Sequence, residues 1–265
     1  MRRVAATIRD PATRALVVEA ARAHAFDLYL SALLAPRNAR DDLMVLAAFE
    51  GEIDRIPHVV SEPMLAEIRL QWWRDRVAAA PNGELSGNPI ADALADVVTR
   101  HSLDIGALID SIDARSPVGE TPMDAQGLEE RALATDRAAM LRVARVLGVT
   151  KPGVDDTAFL TAAGLAVTHA RELVAGAMAS LEAGATRSRD AVGAERHDNV
   201  IAHLRRARAL LPGRGRALRL SALPVALVGP YLRAWEKDEI FQRPFALMPI
   251  ERVWRLWWFA RTARL

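Results

Sequence analysis

Three sets of residues in this sequence have types and spacings that could do chemistry. Asp155 and Asp156 stand side by side, as carboxylates do in metal motifs, but Thr157, Ala158 and Phe159 follow them in the pattern of a helix start, so capping of backbone N–H groups is the expected role. The six histidines are scattered and no two are four residues apart on a helix, which argues against a histidine-based zinc centre. Around Trp72 and Trp73 stand Glu67, Arg69, Gln71, Arg74 and Asp75. Tryptophan and arginine are enriched at interface hot spots, so these seven residues are a candidate partner-binding face. The competing account places the indoles in the core and pairs the charges along the helix at i, i+4 and i+7.

Other chemistries fall away. There is no cysteine, so disulfides, thiolate metal sites and cysteine nucleophiles are excluded. No serine has a nucleophile-elbow context, and no glycine-rich strand-to-helix loop is present to hold a nucleotide. The charges nearly cancel, 35 basic against 33 acidic residues, and are interspersed, so the high pI gives no reason to expect nucleic acid. Two further features allow an anionic or apolar partner: the run Arg205, Arg206, Arg208, Arg214, Arg216 and Arg219, and a final helix with Trp254, Trp257, Trp258 and Phe259. The first reads as a lipid-headgroup site or a solvated helix end, the second as a membrane-surface or partner helix or as one packed on the fold.

The elements that must position these residues are helical. Ala and Leu dominate, and only two lysines occur, Lys151 and Lys237. Asp10-Pro11 starts a helix expected to run to Pro36. A second is expected from about Ala39 to Ile56, stopped by Pro57, and a third from Pro63 with Met64, Ile68 and Trp72 on its core face beside a polar row of Glu67, Gln71 and Asp75. The turn-rich stretch 81–89 precedes a helix over Ile90 to Arg100. A long amphipathic run covers Asp124 to Leu147, another helix runs from Asp155 to about Leu181, and the last third gives helices at Glu195 to Leu210, Leu218 to Glu239 and Ile250 to Arg264. Nine or ten helices with short turns predict an all-α bundle, one domain over 1–265 with a flexible connection near 182–193. The N-terminus has no apolar run of signal-peptide length, and the longest uncharged stretch, Leu220 to Leu232, is too short to span a bilayer; a cytoplasmic protein is expected.

The segment Phe49-Glu50-Gly51-Glu52-Ile53-Asp54-Arg55-Ile56, followed by Ser61-Glu62-Pro63 and then Glu67-Ile68-Arg69-Leu70-Gln71-Trp72-Trp73-Arg74-Asp75, resembles the squalene/phytoene synthase family. The second string is most similar to the branch that contains the phytoene-synthase-like assembly factor of mitochondrial complex I and its bacterial relatives. Asp27-Leu28-Tyr29-Leu30, Leu34-Ala35-Pro36-Arg37, Ala163-Gly164-Leu165-Ala166 and the stretch Pro224 to Leu232 extend the resemblance more weakly. It implies an isoprenoid-synthase-type helical bundle.

The resemblance also implies what is missing. Enzymes of this family ionise an allylic diphosphate with Mg²⁺ held by acidic clusters on two helices. At the first cluster this chain reads Asp54-Arg55-Ile56-Pro57-His58, with Glu50 and Asp54 as the remaining candidate ligands, either for a metal or in ion pairs on a helix face. At the second it reads Val167-Thr168-His169-Ala170-Arg171-Glu172, with one acid. The expectation is therefore a non-catalytic family member, with no cofactor, that acts as a binding or assembly factor for a respiratory membrane complex. Its partners would be subunits of that complex, with peripheral contact at the inner face of the membrane. The alternatives are a Mg²⁺-dependent prenyl transferase joining prenyl diphosphates head to head, and an isoprenoid-binding protein.

Overall fold

Asp10 begins the first helix as its neighbours predict: its carboxylate accepts a hydrogen bond from the Thr13 N–H at 2.8 Å, and Pro11 occupies the first turn, where an N–H would be unused. The computed structural model describes residues 8–60, 62–117, 124–182, 191–237 and 246–265, and among these every regular element is helical. The chain packs as two compact units, Met1–Asp124 with Leu141–Gly148, and Ala125–Met140 with Val149–Leu265. The connection expected near 182–193 lies between two helices of the second unit, and residues 183–190 are outside the described residues.

The first unit contains α1 (Pro11–His24), α2 (Phe26–Leu34), α3 (Arg37–Val59), α4 (Pro63–Ala79), α5 (Pro89–His101) and α6 (Ile105–Asp113). The C-terminal part of α8 (Ala138–Val146) completes it. The single helix expected over 10–36 is broken at Ala25 (φ −141°, ψ 53°) without any glycine or proline. Tertiary packing makes the break: a Cβ on Gly51 would stand 2.9 Å from the Cβ of His24 and 3.1 Å from that of Ala25, so the corner between α1 and α2 rests on a glycine of α3. Helix α3 is the centre of the unit, buried at every position from Asp42 to Gly51. It also runs two residues past Pro57 instead of stopping before it, because a proline so near the C-terminal end removes only one ladder bond.

Helix α4 turns the other way from the expectation. Its buried residues are Ala66, Leu70, Trp73 and Val77, packed toward α3, α5 and α6. Met64 (67 % exposed), Ile68 (58 %) and Trp72 (38 %), taken from the sequence as the core row, face outward. Both faces of this helix are apolar, so periodicity alone could not say which one is core.

The second unit holds α7 (Ala125–Ala132), the start of α8, α9 (Val154–Glu182), α10 (Ala191–Leu210), α11 (Arg216–Ser221), α12 (Val228–Glu236) and α13 (Pro249–Thr262). A π-helical turn over Leu133–Arg137 interrupts the long run expected at 124–147, and it lies against α9 at Gly164, where a Cβ would meet the Arg137 N at 2.7 Å. The helix expected over 218–239 is instead α11, a 3₁₀ turn over Leu223–Leu227 and α12; Pro224, at the start of the turn, cannot donate an i→i−4 bond. Phe159, Leu160, Leu173, Leu223, Leu256 and Phe259 are its largest fully buried side chains. No described helix is long and apolar enough to cross a membrane.

Candidate functional site

Glu50 lies on the most deeply buried stretch of α3, between Phe49 and Gly51, where a charge needs a counter-charge. Two arginines provide it. The Arg115 Nη2 donates to Glu50 Oε2 at 2.8 Å, and an Nη2 of Arg142 donates to Glu50 Oε1. The side chains of Glu50, Arg115 and Arg142 are only 7 %, 6 % and 5 % exposed. Arg115 follows the end of α6 and uses its fork fully: Nε donates to Asp54 Oδ1 at 2.9 Å, and Nη1 donates to the Ser111 carbonyl at 2.6 Å and to the Ser111 Oγ at 3.0 Å. Arg142, on α8, also reaches the Ser111 Oγ at 3.3 Å.

The two carboxylates and two guanidiniums form a closed, charge-balanced cluster. A Mg²⁺ ion prefers carboxylate and water oxygens in octahedral geometry. To bind Glu50 it would have to displace an arginine and remain beside the second positive charge. Asp54, 53 % exposed at its side chain, is the more accessible acid, and it too is engaged by Arg115. These residues do not fit a metal ion. Among the described residues no group of three or more His, Asp or Glu side chains is arranged to hold one.

The second acidic region of the resemblance falls on α9. His169 is 1 % exposed with both ring nitrogens unpartnered, 5.1 Å from the His203 ring between centroids. Burial, with His203 and Arg196 adding repulsion, lowers its pKa from 6.5 to about 4, so the imidazole is neutral at pH 7. Thr168 donates to Asp136 Oδ2 at 2.6 Å, and Arg171 pairs with the same carboxylate at 2.9 Å. Glu172 pairs with Arg131 at 3.3 Å. Asp155 and Asp156 open α9: Asp156 accepts from the Gly153 N–H at 3.1 Å and pairs with Arg214 at 2.6 Å. Asp156 caps the helix, and Asp155, 3.6 Å from Arg214, helps it hold that loop arginine.

The candidate partner face on α4 is divided by the structure. Trp73 is in the core, its ring edge-on to Phe49 at 5.5 Å, so it supports the face from beneath and is not part of it. Trp72 lies against Trp73 at 5.1 Å and stays partly exposed beside Met64, Leu65 and Ile68. Gln71 and Asp75, hydrogen-bonded at 2.8 Å, edge this apolar stripe on one side, and Arg69 and Arg76 edge it on the other. Glu67 and Arg74 tie the flank to α6. Arg74 donates to Glu67 at 2.7 Å and pairs with Asp113, while the Ser116 hydroxyl donates to Glu67 at 2.6 Å. The Ser116 hydrogen bond, with help from Arg74 and against partial burial, holds the Glu67 carboxyl below the usual carboxylate range.

The residues that sequence reasoning missed are Ser111, Arg115 and Arg142. One signal pointed to them: an acid at position 50 amid Ala47, Ala48, Phe49 and Gly51 must be paired if that face is buried. The partners stand 65 and 92 residues away, a distance no local pattern reports.

The arrangement of helices is that of the isoprenoid synthases. A dehydrosqualene synthase crystal structure superposes with a TM-score of 0.69 over 92 % of this chain and 94 % of that one at 12 % identity. Squalene synthase HpnC from Alicyclobacillus acidocaldarius gives 0.68 over 88 % and 96 % at 19 % identity. Residues 21–173 match the squalene/phytoene synthase family model, and the chain belongs to that family. Among curated proteins it is similar to the Bos taurus NADH dehydrogenase (ubiquinone) complex I assembly factor 6, 28 % identical over 143 residues, which are 53 % of this chain and 43 % of the relative. The chain thus spans less than half the length of that relative.

Proposed function

We propose that this protein is a non-catalytic squalene/phytoene synthase homologue that serves as an assembly factor for a respiratory membrane complex, with the exposed face of α4 as its protein-binding surface. The observation that carries the reading is the pairing of Glu50 and Asp54 with Arg115 and Arg142: the carboxylates best placed to hold Mg²⁺ are tied up as structural ion pairs. The similarity to a complex I assembly factor supports the choice of partner, and peripheral contact at the inner face of the membrane is part of the same reading.

On α4 the geometry suits protein binding. Met64, Leu65, Ile68 and Trp72 form an apolar centre, and Gln71, Asp75, Arg69 and Arg76 form a polar rim, the arrangement of an interface core enclosed by solvated residues. Trp73 and the Glu67–Arg74–Asp113 network fix that helix in place.

The test is complementation. In source cells lacking the protein, the native chain and a Glu50→Gln variant restore assembled NADH dehydrogenase complex. Ile68→Asp and Trp72→Ala variants, which alter exposed atoms and keep the native fold, do not. Rescue by the α4 variants, or full assembly without the protein, would overturn the proposal.

A further inference from the structure

Helix α13 is apolar on two opposite faces. Leu256 and Phe259, both fully buried, pack it against the 223–227 turn and α11. At roughly 100° per residue the other side carries Ile250, Val253, Trp254, Trp257 and Trp258, with Met248 just ahead of the helix, and all six are exposed, Ile250 at 69 % and Trp254 at 56 %. A surface helix normally turns polar residues to water there. The three indoles touch one another, Trp254 to Trp257 at 5.4 Å and Trp254 to Trp258 at 5.6 Å between centroids, and nothing among the described residues covers them.

The charge around this face is mostly positive. Residues 246–265 contain Arg252, Arg255, Arg261 and Arg264 and a single acid, Glu251, which pairs with Arg255 at 2.8 Å. The Arg261 guanidinium stands 5.9 Å from the Trp257 ring, at the edge of the aromatic patch. Arg205, Arg206 and Arg208 on α10 and Arg216 on α11 are exposed in the same unit, and α11 packs on α13.

We propose that the outer face of α13 is a peripheral membrane-docking surface for an anionic bilayer, the indoles entering the headgroup boundary and the arginines meeting lipid phosphates. Tryptophan has an apolar body and one N–H donor, which suits it to that boundary, and arginine binds phosphate through a two-pronged fork. Fourteen residues of helix extend about 21 Å, short of the roughly 30 Å of a hydrocarbon core, so the helix lies in the plane of the membrane. A second copy is a poorer occupant, because a two-fold contact through this face would bring two arginine-rich segments together. A factor that serves a membrane complex works close to a bilayer, and in that the inference rests on the assembly reading; the two-faced helix is an observation independent of it.

The test is co-sedimentation of the full chain with phosphatidylcholine vesicles, with and without about one-third phosphatidylglycerol. The native chain pellets with the anionic vesicles, its tryptophan emission shifts to the blue, and high salt releases it. A Trp254→Ser/Trp257→Ser variant, with an unchanged circular dichroism spectrum and melting temperature, binds about ten-fold more weakly and loses the shift. Ile68→Asp on α4 pellets as the native chain does, so a variant that binds vesicles and still restores complex assembly would count against the assembly reading alone. Docking is overturned if the native chain stays in the supernatant, if the tryptophan variant binds equally well, or if native protein is a dimer that this variant makes monomeric.

Discussion

The two regions where the family resemblance implies acidic clusters are built in opposite ways here. On α3 the charge is present and neutralised in place, with Glu50 held by Arg115 and Arg142 in a buried cluster and the exposed Asp54 tied to its edge by Arg115. Over residues 167–172 of α9 the acidic charge is nearly gone: His169 is buried and neutral, and the one acid of that stretch, Glu172, is about 30 % exposed in a pair with Arg131. The difference teaches what a buried carboxylate requires. Once its position is buried, an acid needs counter-charges as permanent as a metal would be, and these become part of the fold; where the acid is absent, the helix packs as ordinary core.

The largest expected effect lies in the first region. Glu50→Ala leaves two guanidiniums buried without their acid and should lower unfolding free energy by about 3 to 5 kcal/mol, read from chemical denaturation. Replacing the three buried charges together, Glu50→Leu with Arg115→Met and Arg142→Met, should recover most of that loss, since only Asp54 then loses its partner and its side chain is 53 % exposed to water. If the triple variant were worse than Glu50→Ala, the cluster would not be a closed set of ion pairs.

The second region should answer to pH. With a folded pKa of about 4 against 6.5 when unfolded, His169 binds fewer protons in the native state between those values, so its contribution to stability is present above pH 6.5 and is lost as pH falls toward 4. The loss is on the order of 3 kcal/mol. His203, also lowered by burial, acts with the same sign. In His169→Leu the acid-side decline in stability, followed by urea melts at pH 7 and pH 4.5, should be clearly shallower, and an unchanged decline would place the titration elsewhere.

Gly164→Ala should cost about 1 to 3 kcal/mol, because the new Cβ meets the Arg137 backbone at 2.7 Å and the π-helical turn would have to move. The same change at Gly176 meets only the tip of the Arg196 side chain, at 3.3 Å, and thermal melts should find it the milder of the two. Smallest of all is Glu172→Ala: a pair whose side chains are both about 30 % exposed should contribute under about 1 kcal/mol. A cost near that of Glu50→Ala would erase the contrast between the regions.

Much of the secondary structure was legible because its signals are local. Asp10-Pro11 starts α1, Asn88 caps α5 by accepting from the Ile90 and Ala91 N–H groups, and Gly148 ends the α8 turn with φ +93°. What was not legible depends on packing. The break at Ala25 comes from contact with Gly51, and the facing of α4 depends on which of two apolar stripes meets the bundle. For the candidate site, the depletion of acids could be read from Asp54-Arg55-Ile56-Pro57-His58, but the arginines that occupy the remaining carboxylates could not, being distant in sequence.

The central claim is that the carboxylates of α3 serve structure and not metal-assisted ionisation. The most direct measurement is pyrophosphate release by purified protein given farnesyl or geranylgeranyl diphosphate with Mg²⁺, with and without NADPH. The account predicts release indistinguishable from a blank for native protein. Release above the blank that vanishes in a Glu50→Gln/Asp54→Asn variant of unchanged fold would contradict it and make those two carboxylates metal ligands.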